Sequence, residues 1–417
     1  MHKAMDSNTL QYTAPSHGDW GIVRVASLVP ESYMLFVCPF ACGRHGALGA
    51  IDQGYKHKLS YVYIDQADII EGYDQAIRHH MRELLLLLKE TPKAMFVYVS
   101  CLDDLIGTDL DALMEELHQE YPHIQFRAGH MNPIKLDSKV PPGMSTQDAM
   151  FSFLAKAEKK DRGLNLIGDL VEIPNDCELY DFLRVAGIHT VRHMSNFTTF
   201  DAFQSMAKSS YNLALSPIAS LASKNMEKKH GTPYVLQPIS YNMQTIAQNY
   251  KAIATLIAAE DGYDFSQDIT KTENKIQEAR RILGERGISI SAGAVFKPFE
   301  LAKTLIEYGF RVDSVIAQKA LPIDKEGYEW LKNADIDVAI IQPQNPEVIR
   351  FDKRNGDVIA IGFDAAYITG SKHIVNLSGD QGMYGYHGVR QLMDMLIEAQ
   401  NQESDLKKLI QEYGVVV

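Results

Sequence analysis

Short apolar runs alternate with segments of helical periodicity along most of this chain. Between residues 60 and 330 the repeated pattern is an apolar run rich in β-branched residues, then a turn, then a helical segment. The run AMFVYVSC (94–101) shows it best, because AIRHHMRELLLLLKE (76–90) precedes it and LDALMEELHQEY (110–121) follows it, both with helical spacing. A strand that is apolar on both faces is typical of a parallel sheet covered by helices. The pattern therefore predicts an α/β fold.

The repeated units fall into three sets, which predict three stacked Rossmann-like domains with parallel sheets. The charged stretch KAEKKDRG (156–163) and the helical stretch DITKTENKIQEARRILGERG (268–287) mark the divisions between them. In ISISAGAVFKPFELAKTLIEYGFRVDSVIAQ (288–318) we expect a strand, a helix that stops at Gly309, and a second strand. We predict an N-terminal arm that wraps over a surface or reaches a partner, and three α/β domains, at 1–30, 31–158, 159–284 and 285–417.

Charge and composition exclude several classes of partner. The chain of 417 residues has 53 acidic and 41 basic side chains, which gives a net charge of −12. This charge argues against a nucleic-acid groove or an anionic membrane surface. No apolar run approaches the roughly 20 residues of a membrane span, and the N-terminus lacks the order of a secretion signal. We therefore expect a cytoplasmic protein that binds neither nucleic acid nor membrane.

Three of the four cysteines stand where an α/β fold collects ligands. Cys38 and Cys42 belong to CPFACGRHG, in which Pro39 suits the first turn of a helix. A helix N-terminus lowers the pKa of a thiol and favours the thiolate that metals require. Cys101 closes a strand, at the edge of the sheet where open α/β folds bind ligands. These three are candidate metal ligands, whereas Cys177, in EIPNDCELY, has no partner nearby and should be structural.

Other interpretations of these cysteines stay open. Free cysteine is a common core residue, so all three are also compatible with ordinary packing. A zinc site made of Cys38, Cys42, His45 and Cys101 is chemically allowed, because three cysteines and one histidine are a known ligand set. On the helix at 76–90, His79 and His80 are adjacent and should not face one another, so we expect no metal pair there.

The segments around the cysteines are similar to one known family. YVSCLDDLIGTDLDAL (98–113) resembles that family's strand ending in cysteine, followed by an IIGDD-like segment and a helix. PFACGRHG (39–46) looks like its glycine-rich HGPxGC loop, and GMYGYHGVRQLMDML (382–396) looks like its terminal GY-x-G turn and helix. The family is that of nitrogenase component 1, which includes molybdenum–iron protein subunits, cofactor-assembly scaffolds, and the dark-operative protochlorophyllide and nickel-sirohydrochlorin reductases. The resemblance runs over most of the chain.

The resemblance implies an iron–sulfur cluster at a subunit interface. By matched position, Cys42 and Cys101 inherit the role of cluster ligands. The family's earliest cysteine has no counterpart, and Cys38 occupies the glycine position of the HGP turn, where it is a candidate substitute. A [4Fe–4S] cube is favoured over an eight-iron cluster, because two cysteines from each of two chains complete it. The implied partners are an identical or different component 1 chain and an ATP-dependent nitrogenase-type iron protein.

The resemblance does not extend to the ligands of the nitrogenase active cofactor. The segment SKNMEKKHGTPYVLQPISYNM (223–243) has no cysteine, and Tyr384 stands at the histidine position, so we do not expect nitrogen reduction. His387, inside the turn, is expected to cap a helix or to pack. The first hypothesis is a reductase of another substrate, with a second metal cofactor or a tetrapyrrole-like molecule in the cavity between domains. The alternatives are a metal-cluster assembly scaffold without turnover and a zinc-bound, redox-inert protein.

Overall fold

The fold is that of a computed structural model of the 417-residue chain. It describes residues 10, 12, 14–15, 21–131, 140–259, 262–350 and 357–413, apart from the side chains at 45 and 71. These ranges contain three parallel β-sheets with helices on their faces, so the predicted fold class is confirmed. Each sheet lies within one of the three predicted domain ranges, while the exact domain boundaries stay a prediction.

The first sheet has the strand order β2-β1-β3-β4, and all its pairings are parallel. Its strands are β1 (Ser32–Cys38), β2 (Leu59–Tyr63), β3 (Ala94–Val99) and β4 (Gln125–His130). The helices of this part are α1 (Gly21–Ser27), α2 (Phe40–Asp52), α3 (Gln66–Glu71), α4 (Tyr73–Leu87), α5 (Cys101–Ile106), α6 (Leu110–Glu120) and α7 (Pro142–Ser152).

The second sheet has the order β6-β5-β7-β8 and is also parallel. Its strands are β5 (Asp161–Ile167), β6 (Thr190–His193), β7 (Ser209–Ala214) and β8 (Tyr234–Leu236). The accompanying helices are α8 (Glu178–Val185), α9 (Phe200–Phe203), α10 (Ser220–His230), α11 (Met243–Leu256) and α12 (Ser266–Leu283).

The third sheet has the order β11-β10-β9-β12-β13, again with parallel pairings. Its strands are β9 (Gly287–Ser291), β10 (Val312–Ile316), β11 (Ala339–Ile341), β12 (Val358–Ile361) and β13 (His373–Val375). Its helices are α13 (Pro298–Glu307), α14 (Lys325–Asn333), α15 (Phe363–Thr369), α16 (Gly385–Asn401) and α17 (Leu406–Tyr413). The predicted helix stop is confirmed, because Gly309 adopts a φ of 86°, which favours glycine.

The cores show why the apolar runs form these strands. Along β1, Phe36 and Cys38 face one apolar cluster, while Leu35 and Val37 face another on the opposite side of the sheet. This is the two-residue period of a strand covered on both faces. The first cluster continues into the second sheet's helices, and a third, larger cluster joins the second and third sheets. The three layers therefore share continuous cores.

Two further expectations concern surfaces. In the described part of the predicted N-terminal arm, the Tyr12 amide donates to the Gln344 carbonyl at 2.8 Å and the Tyr12 and Tyr367 hydroxyls lie 3.1 Å apart, while the arm as a whole stays a prediction. Among the residues described, none of the helices combines the length and apolarity needed to cross a membrane.

Candidate metal-cluster site

The first sheet brings Cys38, Cys42 and Cys101 to one edge. Cys38 is the last residue of β1, and α2 begins two residues later, so Cys42 lies in its first turn. Cys101 is the first residue of α5, one residue after Ser100, which caps the helix by accepting a hydrogen bond from the Leu102 amide at 3.3 Å. Strands β1 and β3 are hydrogen-bonded neighbours, so their carboxyl ends lie side by side. The structure therefore places Cys101 where the sequence predicted it.

The three thiols differ in their access to solvent. Cys38 is buried, Cys101 is half-buried and Cys42 is exposed. The Cys38 sulfur points toward Gly43, because a Cβ placed on Gly43 would lie only 2.9 Å from it. Two thiols thus reach the surface, and the third lies beneath them against a position where only glycine fits without a shift.

The pKa values of these thiols differ from the sequence-based expectation. Burial raises the pKa of Cys38 to about 12, and the nearby Cys42 adds to the effect. Burial also raises the pKa of Cys42, with a further contribution from Cys101. The expected lowering by the helix N-terminus is therefore wrong for the chain alone, because desolvation and neighbouring thiols outweigh it. A metal would reverse this, since a coordinating thiol is deprotonated.

The spacing of the sulfurs bears on which metal they suit. Of the described residues, the group with three ligand atoms all within 4.8 Å of one another is His79, His80 and Glu83, not the cysteines. Zinc holds sulfur at about 2.3 Å in a tetrahedron, which requires ligand sulfurs within roughly 4 Å of each other. The three thiols are therefore too widely spaced for a preformed single-ion site, and the side chain of His45 lies outside the described residues.

A buried hydroxyl lies beside the thiols. Tyr73, the first residue of α4, is buried, and its hydroxyl has no hydrogen-bond partner in the described part of the chain. Burial raises the pKa of Tyr73, and Asp103 and Cys38 lie close enough to add to this effect. A hydroxyl in this position is able to donate a hydrogen bond to a cluster or its ligands, which is how proteins tune such groups. Sequence reasoning missed Tyr73, because its partners are distant in sequence.

Exposed apolar side chains occur on the elements that carry the thiols, on β2 and on the helix that follows β2. This apolar rim comprises Phe40, Tyr61, Tyr63, Ile70 and Leu105, of which Ile70 is 84% and Leu105 is 85% exposed. The rings of Phe40 and Tyr63 pack edge to face at 5.8 Å, and a Cβ on Gly43 would lie 3.4 Å from the Tyr61 ring. Contiguous exposed apolar patches on soluble proteins mark interaction sites.

The expectation that His79 and His80 do not face one another is wrong, because the ligand atoms of these two residues and Glu83 all lie within 4.8 Å of one another. The expectation that no metal pair forms there stays a prediction. His80 Nδ1 lies 2.9 Å from one Glu83 oxygen, and His79 Nε2 lies 3.6 Å from the other. The two rings converge because Glu83 is one helical turn from both. The group is largely exposed and lies on α4, away from the cysteines in sequence.

Cys177 is structural, as predicted. It caps α8, is 1% exposed, and its sulfur lies 3.8 Å from the Tyr384 carbonyl oxygen. Tyr384 is itself buried and precedes α16, so its side chain is part of the core. His387 is in the first turn of α16, where its Nε2 lies 3.3 Å from Asp176, as expected of a packing residue near a helix start.

Glu178 joins the second and third sheets and was missed from the sequence. Its Oε1 accepts hydrogen bonds from the Tyr386 amide at 2.6 Å and the Tyr250 hydroxyl at 2.8 Å. Its Oε2 accepts from the His387 amide at 3.0 Å. These amides are at the N-terminus of α16, so a carboxylate from α8 caps a helix more than 200 residues away.

Two more buried carboxyl groups lie between these sheets. Asp380 accepts hydrogen bonds from the Phe296 amide at 2.7 Å and the Tyr241 hydroxyl at 2.8 Å. Asp169 accepts from the Gly382 amide at 2.9 Å. Burial raises the pKa of Asp380 to about 7 and that of Asp169 to about 6. Both were missed, because an aspartate in a loop gives no sign of the amides it will meet.

Three stacked parallel α/β layers define the fold class of this chain, and comparisons with known proteins identify its family. The family model described as nitrogenase component 1 type oxidoreductase matches residues 20–401. This chain therefore belongs to the nitrogenase component 1 family.

Individual relatives are distant. The nitrogenase iron-molybdenum cofactor biosynthesis protein NifE of Clostridium pasteurianum is 22% identical over 357 residues, which cover 81% of this chain and 75% of that protein. The nitrogenase molybdenum-iron protein alpha chain of Methanococcus maripaludis is 24% identical over 67% of this chain and 58% of its own length. The NifE protein of Nostoc sp. is 22% identical over 74% of this chain and 66% of its own length.

The fold has a counterpart among solved structures. Nitrogenase Cp1 at pH 6.5 superposes with a TM-score of 0.70 and 17% identity, covering 96% of this chain and 94% of that one. The architecture of the three sheets is therefore that of nitrogenase component 1.

Proposed function

We propose that this chain carries an iron–sulfur cluster on Cys42 and Cys101, with Cys38 as a further ligand, and acts as a scaffold for metal-cluster assembly. The observation that carries the proposal is the convergence of the three thiols at the carboxyl edge of the first sheet. Two of the three relatives described above are named as cofactor biosynthesis proteins, which favours a scaffold over a reductase.

The surroundings of the thiols support a cluster shared between two chains. Cys42 and Cys101 reach the surface, so two copies of this edge would supply the four thiolates that complete a [4Fe–4S] cube. Cys38 would then be a ligand in place of one of these thiols, or a ligand of a larger cluster. The apolar rim would be buried in such an interface, which explains why Ile70 and Leu105 are apolar despite their exposure. The partner would be an identical or related component 1 chain, in the cytoplasm, where thiols stay reduced.

Each residue has a distinct part in this proposal. An iron–sulfur cluster, when bound, supplies one-electron transfer. Cys42 and Cys101 would hold it from the chain's surface, and Cys38 would hold it from below, with Gly43 leaving room for the Cys38 sulfur. The Tyr73 hydroxyl would donate a hydrogen bond toward the sulfur atoms.

A reductase is the second candidate function. The family is described as an oxidoreductase, and one relative is a molybdenum-iron protein chain. In this case the cluster would accept electrons from an ATP-dependent iron protein and pass them to a substrate other than dinitrogen. The cofactor position filled by Tyr384 weighs against nitrogen reduction.

The test is anaerobic purification followed by iron, sulfide and zinc analysis. The protein should carry the His79→Gln and His80→Gln substitutions throughout, because the surface group with Glu83 is able to bind zinc or nickel and confuse the result. We expect iron and sulfide in equal amounts, lost in a Cys42→Ser, Cys101→Ser variant and kept in the matched control Cys177→Ala. Zinc in place of iron, or iron that survives the double substitution, would contradict the cluster.

A second measurement separates scaffold from reductase. The iron-loaded protein is mixed with a nitrogenase-type iron protein, dithionite and MgATP, with or without a cluster-free molybdenum-iron protein. A scaffold should release its iron to the acceptor protein without sustained ATP-dependent electron consumption. Sustained electron consumption without iron transfer would instead assign the reductase function.

A further inference from the structure

A cavity lies between α7 and α10, helices that carry none of the cysteines. Its volume is about 340 Å³, within the range of small-molecule sites, and it lies where the first and second sheets' helices meet. Phe151, Ala222 and Met226 give it an apolar floor, and all three are buried. The cavity therefore has the volume and the partly apolar lining of a small-molecule binding site.

An unsatisfied histidine lies in the wall of this cavity. His230 is the last residue of α10 and is only 5% exposed. Both of its ring nitrogens are buried without a hydrogen-bond partner among the residues described. A buried polar group normally has a partner, and leaving it without one costs free energy. A bound molecule that accepts a hydrogen bond would remove this cost.

The lysines beside His230 have no counter-charge in their own hydrogen bonds. The Lys229 ammonium donates to the Ser152 and Leu154 carbonyl oxygens at 3.0 and 2.8 Å. The Lys160 ammonium donates to the Ala207 and Ser209 carbonyl oxygens, both at 2.9 Å. Carbonyl oxygens orient these ammonium groups but do not neutralise them.

The surroundings of His230 are therefore electropositive. Burial, followed by the charges of Lys229, Lys160 and Lys156, lowers the pKa of His230 to about 4, so the ring is neutral at pH 7. Lys228 also lines the cavity. Of these four lysines, Lys228 and Lys229 line the cavity itself, together with one carboxylate, Asp148, which already accepts a hydrogen bond from the Asn225 side-chain amide at 2.8 Å.

We propose that this cavity binds a small organic monocarboxylate. Its apolar body would rest on Phe151, Ala222 and Met226, and its carboxylate would accept a hydrogen bond from the His230 ring within the field of the lysines. The volume suits one ring or a short aliphatic chain. This site is independent of the cluster and of the function proposed above.

The test is calorimetric titration of the full-length protein with benzoate, cyclohexanecarboxylate and hexanoate, each compared with its neutral amide. The amides match the acids in shape, so the comparison isolates the charge. One or more of the acids should bind about tenfold more tightly than the matching amide, since an ionised partner strengthens a hydrogen bond and meets the two lysines that line the cavity. The proposal fails if none of the three acids binds, or if the amides bind equally well.

Variants locate the binding. His230→Gln should weaken binding of the acid by about tenfold or more, because it removes the ring that donates to it. Lys228→Gln should weaken it by about two- to fivefold, the effect of one exposed charge. The matched control is Lys224→Gln, one turn earlier on the same exposed side of α10 and outside the cavity lining.

A thermal unfolding curve of each variant shows whether the substitution has disrupted the fold. If His230→Gln does not fold, the contrast between Lys228→Gln and Lys224→Gln decides the question. Binding that is unchanged by Lys228→Gln, or equally weakened by both lysine substitutions, would overturn the proposed location.

Discussion

The edge of the first sheet and the junction of the second and third sheets are built on opposite principles. At the edge, two thiols reach the surface, the Tyr73 hydroxyl has no partner among the described residues, and apolar side chains face solvent. At the junction, Glu178 and Asp380 are buried and accept hydrogen bonds from backbone amides and tyrosines. The first region therefore has polar and apolar groups that are available to bind a ligand or a partner. The second uses its groups to hold the chain together.

The largest expected effect is on iron content. Replacing Cys42 and Cys101 with serine should remove essentially all bound iron, because serine does not provide the thiolate that such clusters require. The free energy of unfolding of the metal-free protein should change by less than about 1 kcal/mol, since Cys42 is exposed. Metal analysis and denaturant unfolding of the metal-free proteins measure both quantities. A large loss of stability in the metal-free form would show that the edge is part of the core after all.

At the junction, Glu178→Ala should lower the free energy of unfolding by about 3–5 kcal/mol, because it removes the acceptor for two amides and the Tyr250 hydroxyl and one of the two carboxylates beside Arg390. Glu178→Gln keeps one acceptor and should cost less, about 1–3 kcal/mol. Urea unfolding measures both. The iron content of the folded variants should be unaffected. Equal losses in the free energy of unfolding for Glu178→Ala and Glu178→Gln would contradict the capping role.

The apolar rim offers a smaller effect of a different kind. Leu105→Ser should leave the free energy of unfolding of the single chain within about 0.5 kcal/mol, because Leu105 is 85% exposed. If the rim is a subunit interface, the same substitution should weaken association by about tenfold, the effect of losing one buried leucine. Sedimentation measures association. Leu86→Ser, at the C-terminal end of α4, is the matched control and should not change it.

The last expected effect is a pH dependence at the junction. The pKa of Asp380 is about 7 in the fold and about 3.9 in an unfolded chain, so the folded state binds the extra proton between these values. Stability should therefore fall as the pH rises from 4 to 7, by up to about 1.4 kcal/mol per pH unit from this group. Asp380→Asn should make the dependence shallower, because its amide keeps the shape and remains neutral, while Asp169, with its own raised pKa of about 6, leaves part of the slope in place. The exposed Asp335→Asn is the control, and parallel curves for all three proteins would refute the assignment.

The sequence predicted the architecture better than the polar contacts within it. The apolar run before Cys101 and the glycine after α13 identified a strand end and a helix stop, because both depend on local composition. Cys38 shows the limit. Its place after β1 was predictable, but its burial and raised pKa depend on the second sheet's helices packing over it.

Glu178 and Asp380 could not be recognised from the sequence for a related reason. Their partners are backbone amides and tyrosines from distant segments, and an amide has no sequence signature. The same holds for His230, whose significance comes from the absence of a partner among the described residues and from lysines on two segments. Sequence patterns therefore predict the α/β layers, whereas the polar contacts between the layers are recognised only from the fold.

The residues at positions 38 and 43 should vary together among related chains, because their side chains compete for the same space. A Cβ there would approach the Cys38 sulfur to 2.9 Å, so a larger residue at 43 requires a different residue or a different rotamer at 38. In an alignment of closely related chains, glycine at 43 and cysteine at 38 should be inherited together and lost together. A chain that keeps Cys42 and Cys101 but replaces the residues at both 38 and 43 would be expected to hold its metal by the two outer thiols alone.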